Sequence, residues 1–183
     1  MQPTLETERL LLRPLEFSDA PRIEALASDK RISANTLSIP HPYPEGGAAM
    51  WIQGMLEKRA QGDNECSFAI LRKADGVLMG AVGIHPYPNG FRAELGYWIG
   101  VDYWGQGYMT EAVRRVIQYG FEELGLERID AWHFAQNPAS GRVMQKAGMT
   151  FEGVMRQNVI KWDEFVDIAG YSILRSEFEG QTT

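Results

Sequence analysis

Hydrophobic and polar positions along the chain change their period several times, and each change marks the boundary of a predicted element. Between Met109 and Leu124 the apolar residues recur every three or four positions, which predicts an amphipathic helix of about four turns. Three short apolar runs lie within 65–101 and are separated by Asp-Gly and Asn-Gly pairs, which are strong hairpin signals. That segment therefore predicts an antiparallel meander of three strands.

The segments on either side of the meander alternate between strand and helix patterns. Ser18 is the predicted cap of a first helix, and Asn137 is the predicted cap of the last one, with proline in its first turn. A helix over 48–61 has the predicted buried stripe Met50, Trp51, Met55 and Leu56. Further strands are predicted at 9–13, 128–135, 149–160 and 165–174.

This order of elements predicts the fold class. We expect one domain over 1–183 with an α/β (α+β) fold, built on a mixed, mostly antiparallel twisted sheet of about seven strands flanked by about four helices. The longest irregular stretch is 33–47, whose prolines exclude a continuous helix. A loop of that length is either a functional element or a plain surface connection.

Composition and charge narrow the class of protein. The chain has 183 residues, of which 44% are hydrophobic and 23% are charged, as in an ordinary globular domain. No apolar run reaches the ~18 residues of a membrane span, and the first residues lack the features of a signal peptide. We therefore expect a cytoplasmic protein without a membrane partner. The net charge of −6 disfavours a nucleic-acid partner.

Cysteine and histidine usage argues against a metal site. Cys66 is the single cysteine, so no intrachain disulfide and no cysteine-based zinc site can form. We expect its side chain to be a small buried hydrophobe. The histidines His41, His85 and His133 are widely spaced and form no HExxH-like pair, so we expect no metal.

The segment 103–112 carries the chemistry, because Gly105 and Gly107 lie between a predicted strand and a predicted helix. Free N–H groups at a helix N-terminus bind anions, and glycine lets a phosphate approach the backbone. A nucleoside triphosphate is disfavoured because Gln106 and Gly107 occupy the positions of the P-loop Lys and Ser/Thr. A dinucleotide is disfavoured because the third glycine is missing. The pyrophosphate of coenzyme A remains as the third candidate.

The third candidate agrees with a family resemblance that covers nearly the whole chain. The segment 104–109, Trp-Gly-Gln-Gly-Tyr-Met, resembles the signature Gln/Arg-x-x-Gly-x-Gly/Ala of the GNAT superfamily of N-acetyltransferases, with Met109 where Gly or Ala is usual. The segments 7–14, 93–99 and 137–140 are similar to the RimJ/RimL-like branch, which includes ribosomal-protein N-terminal acetyltransferases. Each motif is weak alone, but their common order is a strong match to a GNAT fold.

By this resemblance the protein transfers an acetyl group from acetyl-coenzyme A (acetyl-CoA) to an amine. The resemblance implies that the glycine loop, 105–110, donates N–H groups to the pyrophosphate, and that a backbone N–H of Trp98 or Ile99 polarises the thioester oxygen. Asn137 would contact the pantetheine amides. The expected acetyl-CoA-binding residues are Tyr97, Trp98, Ile99, Gly105, Gln106, Gly107, Tyr108, Met109, Thr110, Asn137 and Ser140.

Two side chains are candidates for proton transfer. Glu94, on the strand that would contact pantetheine, is the candidate general base through a water molecule; the alternative is a glutamate at a hairpin edge. Ser140 is the candidate for protonating the leaving thiolate, because Met144 stands where many GNAT enzymes have a tyrosine; the alternative is an ordinary first-turn residue. His85, Tyr87, Tyr43 and Trp51 either line an acceptor site or are structural.

The acceptor follows partly from amine chemistry. An α-amino group with a pKa near ~8 is about one-tenth neutral at pH 7, whereas a lysine near ~10.4 is neutral in about one part in 2,500. A weakly placed base therefore favours a protein N-terminus. A small amine such as a polyamine or antibiotic, and a non-catalytic acetyl-CoA sensor, remain as alternatives. Relatives often form homodimers, so a homodimer is among the states that the resemblance implies.

Overall fold

One eight-stranded sheet organises the computed structural model, which describes residues 2–61 and 65–181. The strands lie in the order β1-β2-β3-β4-β5-β6-β8-β7, and every neighbouring pair is antiparallel except β5 with β6. The mixed, mostly antiparallel sheet is thereby confirmed. In chain order the strands are β1 Leu5–Glu6, β2 Leu10–Pro14, β3 Cys66–Arg72, β4 Leu78–Pro86, β5 Arg92–Ile99, β6 Arg128–Phe134, β7 Thr150–Lys161 and β8 Glu164–Leu174.

Helices pack on both faces of the sheet and bury two apolar clusters. The larger cluster lies beneath α4 and α5, and the smaller one lies beneath α1 and α3. Apolar side chains of the strands alternate between the two clusters, as the pleat requires. In chain order the helices are α1 Ala20–Ala27, α2 Lys30–Ser33, α3 Gly47–Ala60, α4 Tyr108–Glu122, α5 Pro138–Lys146 and α6 Arg175–Gln181.

Three short elements account for the difference from seven strands and four helices. The strand β1 has two residues and α2 has four, so neither is long enough to show a period. The helix α6 is held by tertiary contacts: Phe178 stacks on Phe121 at 5.1 Å, and Arg175 donates to the carbonyl oxygens of Phe121 and Leu126. Those contacts are with residues about fifty positions away, so the local pattern of 175–181 does not contain them.

The predicted cap of the first helix is wrong. Ser18 lies inside a 3₁₀ turn, Phe17–Asp19, and α1 begins after Asp19. The Asp19 carboxylate is buried, accepts a hydrogen bond from the Glu16 N–H at 2.9 Å and pairs with Arg13 at 2.7 Å. Because Arg13 compensates its charge, Asp19 organises this turn in place of Ser18.

The predicted buried stripe of α3 is also partly wrong. Met50 is 75% exposed, whereas Ala48 and Ile52 are the buried residues of this helix. Trp51 and two further stripe residues, Met55 and Leu56, pack against the smaller cluster but are only partly buried. The helix begins at Gly46 and Gly47, and this start orients positions 48 and 52 towards the sheet and position 50 away from it.

We predict opposite effects of alanine at two glycines. A Cβ at Gly80, on β4, would overlap the Trp98 carbonyl oxygen and lie 2.7 Å from the Ile99 Cα, so Gly80→Ala must displace strand β5. We expect it to destabilise the fold by about 3 kcal/mol. A Cβ at Gly54, inside α3, meets nothing within 4 Å, so Gly54→Ala should stabilise by about 0.5–1 kcal/mol.

Thermal unfolding of the two variants checks this prediction. For a chain of this length, about 1 kcal/mol corresponds to roughly 2–4 °C in the melting temperature. Gly80→Ala should therefore melt roughly 6–12 °C below the native protein and Gly54→Ala slightly above it. Equal melting temperatures for the two variants would contradict the close approach of β4 and β5 at Gly80.

Candidate active site

The parallel strands β5 and β6 separate midway along the sheet. They are paired from Arg92 opposite Arg128 as far as Leu95 opposite Ala131, and each then continues without the other. The strand β5 stays paired to β4 up to Ile99, and β6 stays paired to β8 up to Phe134. A gap therefore opens between the carboxyl ends of two strands, which is where open α/β sheets bind ligands.

The backbone of β5 directs alternate residues into this gap. The Gly100 N–H donates to the Met79 carbonyl oxygen at 2.8 Å. Because backbone groups alternate in direction along a strand, the N–H and carbonyl of Trp98, two residues earlier, also face β4. By the same alternation the backbone groups of Tyr97 and the N–H of Ile99 are directed towards the gap. Of the two N–H groups expected at the thioester, that of Ile99 faces the gap and that of Trp98 faces β4.

The glycine loop, 105–110, connects the end of β5 to the N-terminus of α4. Gly105 has φ of 73° and Gly107 has φ of 81°, so both adopt the left-handed backbone that glycine favours. Gly107 is the N-cap of α4, and the first N–H groups of this fifteen-residue helix follow it directly. The expected arrangement of glycines before a helix N-terminus is present, with the geometry of an anion site.

The segment before β2 braces this loop. The Arg9 side chain donates to the Gln106 carbonyl oxygen at 3.1 Å and to the Glu111 carboxylate at 2.7 Å, and it lies over the Tyr108 ring. Thr7 donates to the same carboxylate at 2.6 Å. Burial by itself raises the pKa of Glu111, but the hydrogen bonds from Thr7 and Arg9 outweigh it and lower the pKa. These contacts, called here the brace, link the segment 7–14 to the glycine loop.

Two side chains of the signature motif contact the rest of the protein. Met109 is buried in the larger apolar cluster, so the residue that departs from the family pattern packs in the core. The Trp104 indole N–H donates to the Ile99 carbonyl oxygen at 2.9 Å. Trp104 thereby ties the start of the loop to the end of β5, beside the gap.

On the α5 side of the gap, two hydroxyl groups lie close together. The Tyr97 and Ser140 hydroxyl oxygens are 2.9 Å apart, and the Tyr97 hydroxyl also lies 3.1 Å from the Ser140 carbonyl oxygen. Burial raises the pKa of the Tyr97 phenol, so it stays protonated at neutral pH. Asn137 caps α5 as expected, accepting from the Ser140 N–H. Met144 is buried in the core and offers no hydroxyl.

On the opposite face of β5 the gap widens into a cavity of about 630 Å³, called here the chamber. Its walls come from α1, the loop 34–46, the start of α3, and the ends of β4, β5 and β6. The loop therefore lines a cavity. Lys161, at the end of β7, donates to the carbonyl oxygens of Leu37 and Ile39 at 3.1 and 2.8 Å, and this holds the loop over the chamber.

Two carboxylates and two histidines, His85 and His133, line the chamber. Glu94, the candidate base, accepts a hydrogen bond from the Tyr87 hydroxyl at 3.1 Å. His85 lies directly opposite it on β4 and pairs through Nδ1 with Glu65 at 2.9 Å. The hydrogen bond with His85, more than any other contact, lowers the pKa of Glu65 to about 2. The chamber thus combines two acidic groups with two imidazoles.

Sequence patterns did not find part of this site. Tyr97 was expected to contribute only its backbone, and Glu65 was not singled out at all. Ser140 is 43 positions from Tyr97, and Glu65 is twenty positions from His85, so no local period links either pair. The hydroxyl of Tyr97 and the carboxylate of Glu65 acquire their partners only when the strands pair.

Comparisons with known proteins agree with the fold and the loop. A family model described as an acetyltransferase (GNAT) domain matches residues 9–150. The uncharacterized N-acetyltransferase YoaA of Bacillus subtilis is 34% identical over 96% of this chain and 98% of its own length. YdaF of the same organism, named provisionally as a ribosomal N-acetyltransferase, is 36% identical over 58% of this chain and 59% of its own.

A solved structure shows the same fold at lower identity. RimL, titled a ribosomal L7/L12 alpha-N-protein acetyltransferase in complex with coenzyme A, superposes with a TM-score of 0.84. The match covers 94% of this chain and 98% of that chain, at 18% sequence identity. At that identity the likeness shows the fold alone.

The chain belongs to the GNAT acetyltransferase family. It is an N-acetyltransferase that uses acetyl-CoA as its co-substrate. Over the described ranges, 2–61 and 65–181, no helix is both long and apolar enough to cross a membrane.

We predict that loss of the Glu111 charge loosens the glycine loop. In Glu111→Gln the amide oxygen can replace one carboxylate oxygen, but the NH₂ group cannot accept in place of the other, so the bond from the Thr7 hydroxyl or the bond from the Arg9 Nε is lost. We therefore expect acetyl-CoA affinity to fall roughly tenfold and stability at pH 7 to fall by about 1–2 kcal/mol. Because the pKa of Glu111 is lowered in the folded state, its contribution is present above the ordinary value of 4.5 and disappears as the pH falls through the folded-state value.

Thermal unfolding between pH 3 and 7, with and without acetyl-CoA, measures both effects. Glu122→Gln is the matched control, because this residue lies on the same helix and its carboxylate accepts from Gln118, four residues earlier. The control should behave as the native protein does. A Glu111→Gln variant with native affinity for acetyl-CoA would show that the brace does not shape the loop.

Proposed function

We propose that this enzyme acetylates the α-amine at the N-terminus of a protein or peptide. The observation that carries the proposal is the chamber, which adjoins the gap at the level of Gly96 and contains Glu65 and Glu94. At about 630 Å³ it is within the size range of sites for small ligands, so it suits the end of a chain. YdaF and RimL, with their names as protein acetyltransferases, support this acceptor.

The residues around the gap fit acetyl-CoA. The N–H groups at the start of α4, preceded by Gly105 and Gly107, are a cradle for the pyrophosphate. The backbone of Tyr97 and Ile99 is a strand edge on which the pantetheine amides can pair. Asn137, whose side chain caps α5, is the further proposed partner of those amides. The Ile99 N–H is the proposed donor to the thioester oxygen.

We assign the leaving group's proton to Ser140, supported by Tyr97. When the C–S bond breaks, the thiolate needs a proton, and a hydroxyl at the N-terminus of α5 is a suitable donor. The Tyr97 phenol, 2.9 Å from the Ser140 oxygen, can donate to it as the Ser140 proton leaves. This pair supplies the hydroxyl that Met144 lacks.

Glu94 is the proposed carboxylate at the acceptor amine. Its side chain faces the chamber, and the Tyr87 hydroxyl holds one of its oxygens. An anionic group at this position attracts a protonated amine and can receive a proton through a water molecule. The acidic chamber is suited to cationic acceptors generally, so small amines are the competing substrates in the test.

Acceptor choice is tested with a panel of peptides and small amines. Acetyl-CoA at ~100 times its dissociation constant adds ~2.7 kcal/mol of stability, so we first expect a melting shift of roughly 5–11 °C, with none for NAD or ATP. We then expect peptides with a free N-terminus to gain an acetyl group at the α-amine, located by mass spectrometry. Turnover of polyamines or antibiotics alone would reject the peptide acceptor, and binding without any turnover would identify a sensor.

The hydroxyl pair is tested with Ser140→Ala and Tyr97→Phe. We expect Ser140→Ala to lower kcat by about 10²-fold and Tyr97→Phe by less, because the serine still reaches the sulfur. Neither variant removes a group from the pyrophosphate cradle, so the acetyl-CoA-induced melting shift should persist. Native kcat in Ser140→Ala would exclude the serine as the proton donor.

A further inference from the structure

His85 and Glu65 form a hydrogen-bonded pair at the edge of the chamber. The His85 Nδ1 lies 2.9 Å from one Glu65 oxygen, and Lys58 on α3 contacts the other oxygen at 3.1 Å. Glu65 precedes β3, and His85 lies near the end of β4, so the paired strands bring the two side chains together. The carboxylate is thus fixed from two sides and presents a constant acceptor to the imidazole.

Two glycines determine where the imidazole lies. A Cβ at Gly83 would be 2.7 Å from the His85 Nε2, and a Cβ at Gly96 would be 3.7 Å from the same atom. The ring therefore covers Gly83 and reaches across to Gly96 on β5. Gly96 is the first residue of β5 beyond Leu95, where pairing with β6 stops. The His85 Nε2 consequently stands at the point where the gap begins.

The Glu65 carboxylate also selects the form of the imidazole. A carboxylate only accepts hydrogen bonds, so in the neutral ring it holds the proton on Nδ1 and leaves a lone pair on Nε2. His85 lines the chamber, and the Nε2 atom that carries this lone pair lies beside Gly83 and Gly96. A histidine oriented by a carboxylate in this way is a standard proton acceptor in enzymes.

We propose that His85, oriented by Glu65, takes the proton that the acceptor amine loses during acetyl transfer. The amine nitrogen bonds to the thioester carbon, the C–S bond breaks, and one N–H proton of the amine passes to the His85 Nε2. The thiolate receives a proton from the Ser140 hydroxyl, which regains one from the Tyr97 phenol, and that phenol is reprotonated from solvent. His85 later releases its own proton to solvent. The proposal rests on acetyl transfer and holds for any primary amine.

Glu94 then has a separate task. It lies opposite His85 across the β4–β5 pair, and its bond to the Tyr87 hydroxyl leaves one oxygen for the acceptor. From that position its negative charge attracts the ammonium form of the amine, which loses its extra proton to a water molecule beside Glu94 before attack. His85 then takes the second proton, which the nitrogen loses as its bond to the acetyl carbon forms. The charged groups facing the imidazole are accordingly Glu65 before β3 and Glu94 on β5, with Lys58 of α3 behind Glu65.

Steady-state kinetics between pH 5.5 and 9 separate the two tasks. We expect His85→Gln to lower kcat about 10²-fold and to remove the acidic limb of the kcat profile. Glu94→Gln should mainly raise KM for the amine and keep that limb. Glu65→Gln should lower kcat roughly tenfold and shift the limb to lower pH, since the amide no longer stabilises the charged ring.

Controls distinguish this proposal from a general loss of function. Glu57→Gln removes a carboxylate from α3 outside the chamber and should leave kcat, KM and the pH profile unchanged. The melting shift with acetyl-CoA should be native in every variant, because none of these residues lies in the glycine loop. A native pH profile in His85→Gln, or loss of the acidic limb in Glu94→Gln alone, would overturn the proposal.

A second measurement does not depend on which amine is the acceptor. Imidazole ¹⁵N NMR of the full chain with acetyl-CoA reports which nitrogen of His85 carries the proton. We expect the proton on Nδ1 in the native protein and a mixture of both forms in Glu65→Gln. A proton on Nε2 in the native protein would overturn the proposal, whether or not any amine in the panel is acetylated. If no amine is acetylated but the proton is on Nδ1, only the acceptors tried are rejected.

Discussion

The separation of two parallel strands is the constraint on which this structure depends. Beyond Leu95 and Ala131 the strands β5 and β6 no longer pair, yet each keeps its outer neighbour along its full length. The opening therefore removes sheet hydrogen bonds between the facing edges of β5 and β6, and the backbone groups on those edges become available to a substrate that carries amides. A sheet of eight strands remains continuous on both sides of the active site.

Because side chains alternate along a strand, β5 divides the chemistry between its two faces. Tyr97 packs towards the larger cluster and meets Ser140 of α5, while Glu94 and Trp98 face the chamber with His85. The proposed proton donor for the thiolate and the proposed proton acceptor for the amine thus stand on opposite sides of the strand that faces the gap. The same alternation directs the Ile99 N–H, and not that of Trp98, towards the gap.

The active site also depends on contacts far from it in sequence. Arg9 and Thr7 reach Glu111, more than one hundred positions later, and fix the N-terminus of α4 against the first strands. Lys161 fixes the loop 34–46 across more than 120 positions. The first of these polar contacts join the start of the chain to its middle, and those of Lys161 join β7 to a loop in the first quarter of the chain. The apolar clusters alone specify burial but not the orientation of a loop.

The sequence by itself determined the elements whose signals are local. The meander, the long helix α4, the glycine loop and the Asn137 cap follow from period, turn residues and capping chemistry, all within a few positions of each other. Tertiary structure decided the rest: Asp19 displaces Ser18 because Arg13 lies beside it, and α6 exists because Arg175 and Phe178 find partners about fifty positions away. Tyr97 with Ser140, and His85 with Glu65, likewise come into contact only through strand and helix packing, because the distance between two side chains is set by the register of the sheet and not by their separation in the chain.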